Sequence, residues 1–319
     1  MAVYLARRLL AVVGILWAMS VLIFAIVHVL PGNVAYAILG EYATPGAVAV
    51  LEQKLGLHDP LATQYWHWLA GMLHGDFGRS LVMDRPAAPV IFQALGRSAI
   101  LAGISFAVVT VLGIYLGVHA ATHQGRGSDR LLALAQFLFI AVPDFFWGIV
   151  LILFFASWLH WLPATGYAPI GEAGLLGWAS HLLLPVSVLA LGLIVHVSRL
   201  TRSSMLEALQ SRYVLAARAK GLPERVVLRR HALRNALLPT ITILAIDVGL
   251  LIGGVVVVET VFAYPGLGRL LVFAIEHHDL PLLQAGMMVV TAIYALANLL
   301  ADLLYAVLDP RIRMGRAVA

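Results

Sequence analysis

Asp144, Asp247 and Asp302 stand inside long apolar runs, and the chemistry open to them there is narrow. A charged group at mid-membrane costs about 2.5–3.5 kcal/mol on insertion scales, so such residues face protein or a water-filled route. An isolated carboxyl can accept hydrogen bonds, pair with a cation or line a polar path. Bond-making would need partners that the sequence does not supply. It has no GxxxxGK(S/T) phosphate loop, no HExxH zinc helix and no GxSxG nucleophile elbow. Cysteine is absent, which removes thiolate chemistry and disulfides. No catalytic residue and no metal site is assigned. Asp247, midway along its run, either lines a translocation route or makes a helix–helix hydrogen bond. Asp144, which follows Pro143, is the second route candidate. Asp302 reads as structural, and Glu259 as a pin for the loop that follows it. His28, His119 and His196 lie nearer the ends of their runs.

The elements that position these residues are membrane spans. The 319 residues are 61% hydrophobic and 12% charged, against about 45–50% and about 25% for a soluble domain. Six runs reach the roughly 20 residues that a span needs: 9–30, 98–120, 131–158, 181–201, 237–262 and 284–308. One set of loops carries 16 of the 21 Lys and Arg residues and the other carries 5. The positive-inside rule puts the richer set, and both termini, in the cytoplasm. This charge flanks membrane spans, so nucleic acid is not expected as a partner. The first run is too long for an ordinary signal-peptide core, although Val34-Ala35-Tyr36-Ala37 has a small-residue cleavage look. Pro143 predicts a kink in the third run. Between the first two spans, Thr44-Pro45 predicts a helix start. Leu61–Leu73 carries Tyr65, Trp66 and Trp68, which suit either the lipid–water interface or a packed cap. Gly113 with Gly117, and Gly249 with Gly253, form GxxxG pairs that permit close helix packing. Residues 1–97 form a first span with an outer helical region; residues 98–319 form a five-helix core.

The basic segment 199–235 is too charged for lipid and too patterned for a tether. It reads as a helix, a turn at Gly221-Leu222-Pro223 and a second helix. Ala216, Ala217 and Ala219 permit close backbone approach. Gly221 suits a positive φ at a helix end, and Pro223 suits the start of the next helix. Ser204-Met205-Leu206-Glu207 has the capping-box pattern, which predicts a helix start there. We read Ala216, Ala217, Arg218, Ala219, Lys220, Gly221, Leu222 and Pro223 as a docking element gripped by another protein. His277-His278-Asp279 invites a metal reading, but three adjacent residues do not easily converge on one ion.

The segment from Ala216 to Gly221, closing at Leu238-Pro239, resembles the "EAA" loop of binding-protein-dependent ABC importer permeases. Leu215 stands in place of the family glutamate and Ala236 in place of the isoleucine, as in the dipeptide/oligopeptide/nickel branch. Leu55-Gly56-Leu57-His58-Asp59-Pro60, Gly75-Asp76-Phe77-Gly78-Arg79-Ser80, Glu259 to Gly268, and Asp302 to Arg313 also resemble that branch. The resemblance implies an all-α, six-span type I ABC importer permease of the bacterial cytoplasmic (inner) membrane. It implies that the basic loop forms a coupling helix in the cleft of a cytoplasmic ATPase. A second permease, two ABC ATPases that use ATP and magnesium, and an extracytoplasmic solute-binding protein are the implied partners. This chain binds no cofactor of its own in that reading. Tyr264, Pro265, Gly266 and Gly268 are the implied outer-gate or binding-protein contacts, on a short re-entrant segment. The implied solutes are short peptides, with nickel or a metal chelate as the alternative. A self-contained secondary transporter is the remote rival.

Overall fold

The computed structural model describes residues 2–29, 36, 43–54 and 58–308. The motif residues 55–57 and 309–313, and most of the cleavage-like stretch, lie outside them. Eleven helices carry the argument: α1 (Ala2–Val29), α2 (Pro45–Lys54), α3 (Leu61–Leu73), α4 (Ala87–Thr122), α5 (Gly127–Ala141), α6 (Asp144–Leu151), α7 (Ile170–Leu209), α8 (Arg212–Ala219), α9 (Glu224–Val261), α10 (Leu267–Glu276) and α11 (Leu280–Leu308). Two-residue strands β1 (Arg79–Ser80) and β2 (Arg85–Pro86) pair antiparallel. The fold is all-α. Among the described residues five helices are long and apolar enough to cross a membrane, and six if α5 and α6 with its continuation count as one span.

Sequence patterns explain most element boundaries. Thr44 caps α2, its hydroxyl accepting from the Ala47 amide at 3.3 Å, with Pro45 as first helical residue. The third apolar run departs from the expected single kink. Its two halves, Gly127–Ala141 and Asp144–Trp158, are bent by 106° around Pro143. Proline cannot donate to the preceding turn and forces its neighbour out of helical geometry. Val142, accordingly, is extended at φ −120°, ψ 132°. The second half then widens into π-helical turns over Ile152–Trp158. The capping-box expectation at Ser204 is corrected. Ser204 and Glu207 lie inside α7, which runs on to Leu209. The helix restarts after Ser211, whose hydroxyl donates to the Ala208 carbonyl at 2.5 Å. Helix α4 begins 11 residues before the apolar run at 98, because Pro89 falls in its first turn, where proline is tolerated.

The chain divides into two compact units, 1–98 with 265–299, and 99–264 with 300–319. The division thus groups 265–299 with the N-terminal region, where the sequence reading had kept it with the core. In the first unit Ala87, Ile91 and Ala94 bury against Leu267, Leu270, Ala274 and Leu282. Phe24 of α1 packs on Tyr65 and Trp68 of α3, and the Ser20 and Tyr65 hydroxyls share a 2.8 Å hydrogen bond. Tyr65 and Trp68 thus pack against α1, while Trp66 stays exposed. The second unit is built on α7 against α9, with α4 closing one side through Leu101 and Val109.

Candidate functional site

The basic loop folds as helix α8, a tight turn and the start of α9. Only one face of α8 is anchored. Val214 and Ala217, one turn apart, bury against Met205 and Ala208 of α7 and Val227, Ala232 and Ala236 of α9. Burial of this apolar root fixes the loop to both long helices at once. The remaining residues of 212–226 are exposed, including the apolar Tyr213, Leu215, Leu222 and Val226. Gly221 ends the helix at φ +76°, the left-handed conformation in which a side chain is strained. Its amide donates to the Arg218 carbonyl at 2.9 Å. Arg218 then bridges the turn to Glu224 through two hydrogen bonds, at 2.6 and 3.1 Å. The hydrogen bonds hold the Arg218 guanidinium above its ordinary pKa and the Glu224 carboxyl below its own. Of the eight residues read as docking contacts, seven face outward. Ala217 is corrected: it is 3% exposed and serves as root.

A second polar arrangement runs along α7. Asp247 of α9 is fully buried, and its Oδ1 accepts from His196 Nδ1 of α7 at 2.9 Å. Oδ2 has no hydrogen-bond partner among the described residues. The helix–helix reading of Asp247 thus describes its own position, and the exposed half of the pair is His196, about half accessible. Asp144 is exposed at the start of α6. Its Oδ1 lies 3.3 Å from where a Cβ on Gly192 would stand, one turn before His196. Both carboxyls singled out from the sequence therefore meet the same helix. Further along, Arg202 makes a bidentate pair with Asp129 at 2.8 and 2.9 Å, and the Gly125 amide adds a third bond at 2.9 Å. Gln136 donates to Ser198, and Thr201 shares a 3.1 Å bond with Thr240. Sequence reading missed Arg202–Asp129, because no local spacing links residues 73 apart. An acidic residue in a first helical turn and an arginine near the end of an apolar run were the signals available.

Glycines set how closely α4 meets α7. A Cβ on Gly117 would lie 2.5 Å from Thr201 Cβ and 2.7 Å from the Ser198 carbonyl oxygen, and one on Gly113 would lie 2.8 Å from Val197. This GxxxG pair is an internal contact. Gly253 of the other pair has nothing within 4 Å.

The segment after α9 is built differently from its surface reading. Tyr264 is fully buried, its ring edge-on to Tyr167 at 5.5 Å and its amide bonded to the Glu259 carbonyl at 2.9 Å. Gly266 and Gly268 are buried, and Pro265 is half-buried. Tyr264, Gly266 and Gly268 thus shape the segment from within, and Pro265 keeps part of its surface open. Ser98 caps α10 by accepting from the Leu267 amide at 2.8 Å. Asp279 is fully buried and accepts from the Ser80 hydroxyl and from the Leu81, Val82 and Leu282 amides. Its oxygens are thus committed, and His277 stacks on Phe273 at 4.1 Å. Among the described residues no group of three His, Asp or Glu side chains is placed to hold a metal ion.

Comparison with known proteins matches residues 110–314 to the family described as "Binding-protein-dependent transport system inner membrane component". Residues 1–101 match its N-terminal counterpart. The chain is 39% identical over 313 residues to the probable peptide ABC transporter permease protein y4tP of Sinorhizobium fredii, covering 98% of this chain and 100% of that one. It is 36% identical over 332 residues to the dipeptide transport system permease protein DppB of Alkalihalophilus pseudofirmus, covering 98% and 100%. It is 37% identical over 310 residues to the glutathione transport system permease protein GsiC of Escherichia coli K12, covering 97% and 98%.

Proposed function

The chain belongs to the family of binding-protein-dependent transport system inner membrane components, and on that premise we propose that it is the permease subunit of an ATP-driven importer of short peptides. The observation that carries the reading is the loop at 212–226. It is rooted in two long helices, and it turns outward an apolar and cationic face that none of the described residues covers. A face of that kind suits insertion into a cleft of another protein. Relatives matched over nearly their full length are named as peptide, dipeptide and glutathione permeases, which favours peptides over metal as the solute.

In this reading two ABC ATPases hydrolyse ATP with magnesium and grip the coupling loops of this chain and of a second, homologous permease. The ATPases bind the cofactors, and this chain binds none. An extracytoplasmic binding protein delivers the solute to the opposite face. Both termini and the loop lie in the cytoplasm, as the charge bias of the loops requires for six spans. Closure of the ATPases pushes α8. Because Val214 and Ala217 are packed into α7 and α9, the push moves those two helices together, and the cavity changes the side to which it opens.

Affinity purification from native membranes in mild detergent, followed by reconstitution in vesicles, tests this. We expect two ATPase chains and a second permease to co-purify, and ATP-dependent uptake of dialanine once the binding protein is supplied. Recovery of this chain alone in a transport-active state would overturn the reading.

A further inference from the structure

Helix α7 carries one exposed stripe near its C-terminal half, and the stripe has the wrong chemistry for lipid. His196, Arg199 and Ser203 are exposed and, with the partly buried Gly192, recur at the spacing of one helical face. The intervening Val195, Val197, Ser198 and Thr201 are buried. On α1, by contrast, the large exposed side chains beyond Arg8 are apolar, among them Leu9, Leu10, Val13 and Trp17, as hydrocarbon requires. A half-exposed imidazole with a buried carboxylate behind it, followed by an exposed guanidinium, belongs against water or a polar solute.

Charge is ordered along the stripe. Asp144 sits over Gly192, whose missing side chain lets the carboxyl approach. One turn later, His196 binds Asp247 through Nδ1 and leaves Nε2 as the nitrogen on its free edge. With a proton on each ring nitrogen, Nδ1 donates to Asp247 and Nε2 can donate to a bound anion. Arg199 adds a second cationic donor on the same face. At 1.5 Å rise per residue, the Gly192 level is about 6 Å from His196 and about 10 Å from Arg199. Extended chains span about 3.3–3.6 Å per residue, so the ends of a dipeptide or tripeptide are separated by about 7–10 Å.

We propose that this stripe is a solute-contact site for zwitterionic short peptides, in which Asp144 takes the α-ammonium end and His196 with Arg199 takes the α-carboxylate end. Asp247 is a positioning residue that orients His196. The assignment rests on the peptide-importer reading above and adds that the permease itself reads both charged ends of its cargo. Any anion would meet the same donors, so the separate contributions of the two ends are what the test must resolve.

The complete transporter, with its partner subunits and binding protein, is reconstituted in vesicles. Uptake of dialanine, its C-terminal amide and its N-acetyl form is measured for the unsubstituted complex and for His196→Gln and Asp144→Asn. Each rate is divided by that of the unsubstituted complex for the same solute, which cancels the binding protein's own preference. Loss of a hydrogen bond to a charged group predicts a drop of about 10-fold for dialanine in both variants. His196→Gln should leave the amide within about 2-fold, and Asp144→Asn should leave the N-acetyl form within about 2-fold, since those solutes lack the charge each residue reads. Equal losses for all three solutes, or no loss for any, overturn the assignment while the importer reading stands. Absence of ATP-driven dialanine uptake by the unsubstituted complex overturns the peptide reading and the assignment with it. A dipeptide with a photoactivatable side chain, irradiated during turnover, should label segments 144–148 and 192–203. Labelling confined to other segments overturns the site whatever the uptake ratios.

Discussion

The coupling loop and the α4–α7–α9 block are both made with small residues, and they use them in opposite ways. In the block, Gly113 and Gly117 delete side chains so that α4 touches Val197 and Thr201 of α7 directly. In the loop, Ala217 with Val214 supplies just enough apolar surface to root one face of α8, while Ala216 and Ala219 leave the other face open. The polar groups follow the same division. The carboxyls held by α7 are buried, Asp247 of α9 on His196 and Asp129 of α5 on Arg202. The loop keeps its one ion pair, Arg218–Glu224, in water. The block fills itself, and the loop leaves its best surface unfilled.

The largest effect that would break this comparison comes from the block. Gly117→Val places atoms inside the contact distance of Thr201 and of backbone, so overpacking should destabilise the protein by about 3 kcal/mol. Thermal unfolding followed by size-exclusion fluorescence in detergent would read it as loss of the folded peak; an unchanged profile would mean that α4 and α7 are not packed as described. Gly221→Asp comes next. The protein should stay folded in the membrane, while a charge forced into an ATPase cleft lowers uptake by about 10-fold or more. Normal uptake by that variant would count strongly against the docking role. Asp129→Asn removes the charge that Arg202 is bound to and should cost about 1–3 kcal/mol of stability, with ATPase stimulation retained. Arg218→Ala is the smallest. An exposed pair contributes at most about 1 kcal/mol, so uptake within about 2-fold of the parent is expected, and a severe loss would show that the pair contacts the ATPase rather than only bracing the turn.

Much of the fold was legible because the sequence repeats its signals locally. Thr44-Pro45 and the Gly221–Pro223 turn are each decided within a few residues, whereas the aromatic run at 61–73 left two readings open because its partner Phe24 lies far off in sequence. Small residues were less informative. Both GxxxG pairs and the alanines of the loop were read as sites of close approach, but only coordinates separate Gly117, which is pressed on backbone, from Gly253, which meets nothing. The capping-box letters at Ser204 describe a helix start only if the chain is not already helical, and α7 is continuous there. The route carboxyls were visible as anomalies in apolar runs, yet their partners were not. His196 and Asp247 are 51 residues apart, and the face that α7 presents to α9 is fixed by packing rather than by any pattern in either segment. Tyr264 was read from its motif as an outer-gate or binding-protein contact, and its burial against Tyr167, 97 residues away, had no local signal.

Asp279 carries a consequence for the timing of synthesis. It holds the Ser80 hydroxyl and the two amides that follow, across 199 positions of sequence. The hairpin at Arg79–Pro86 emerges early in translation but gains its buried anchor only when the ribosome has passed residue 279. Until then that stretch lacks its buried anchor while several later helices are already made, and it is open to proteases and quality-control factors. A chain truncated before residue 279 should therefore be recognised at its first third, where nothing has been altered.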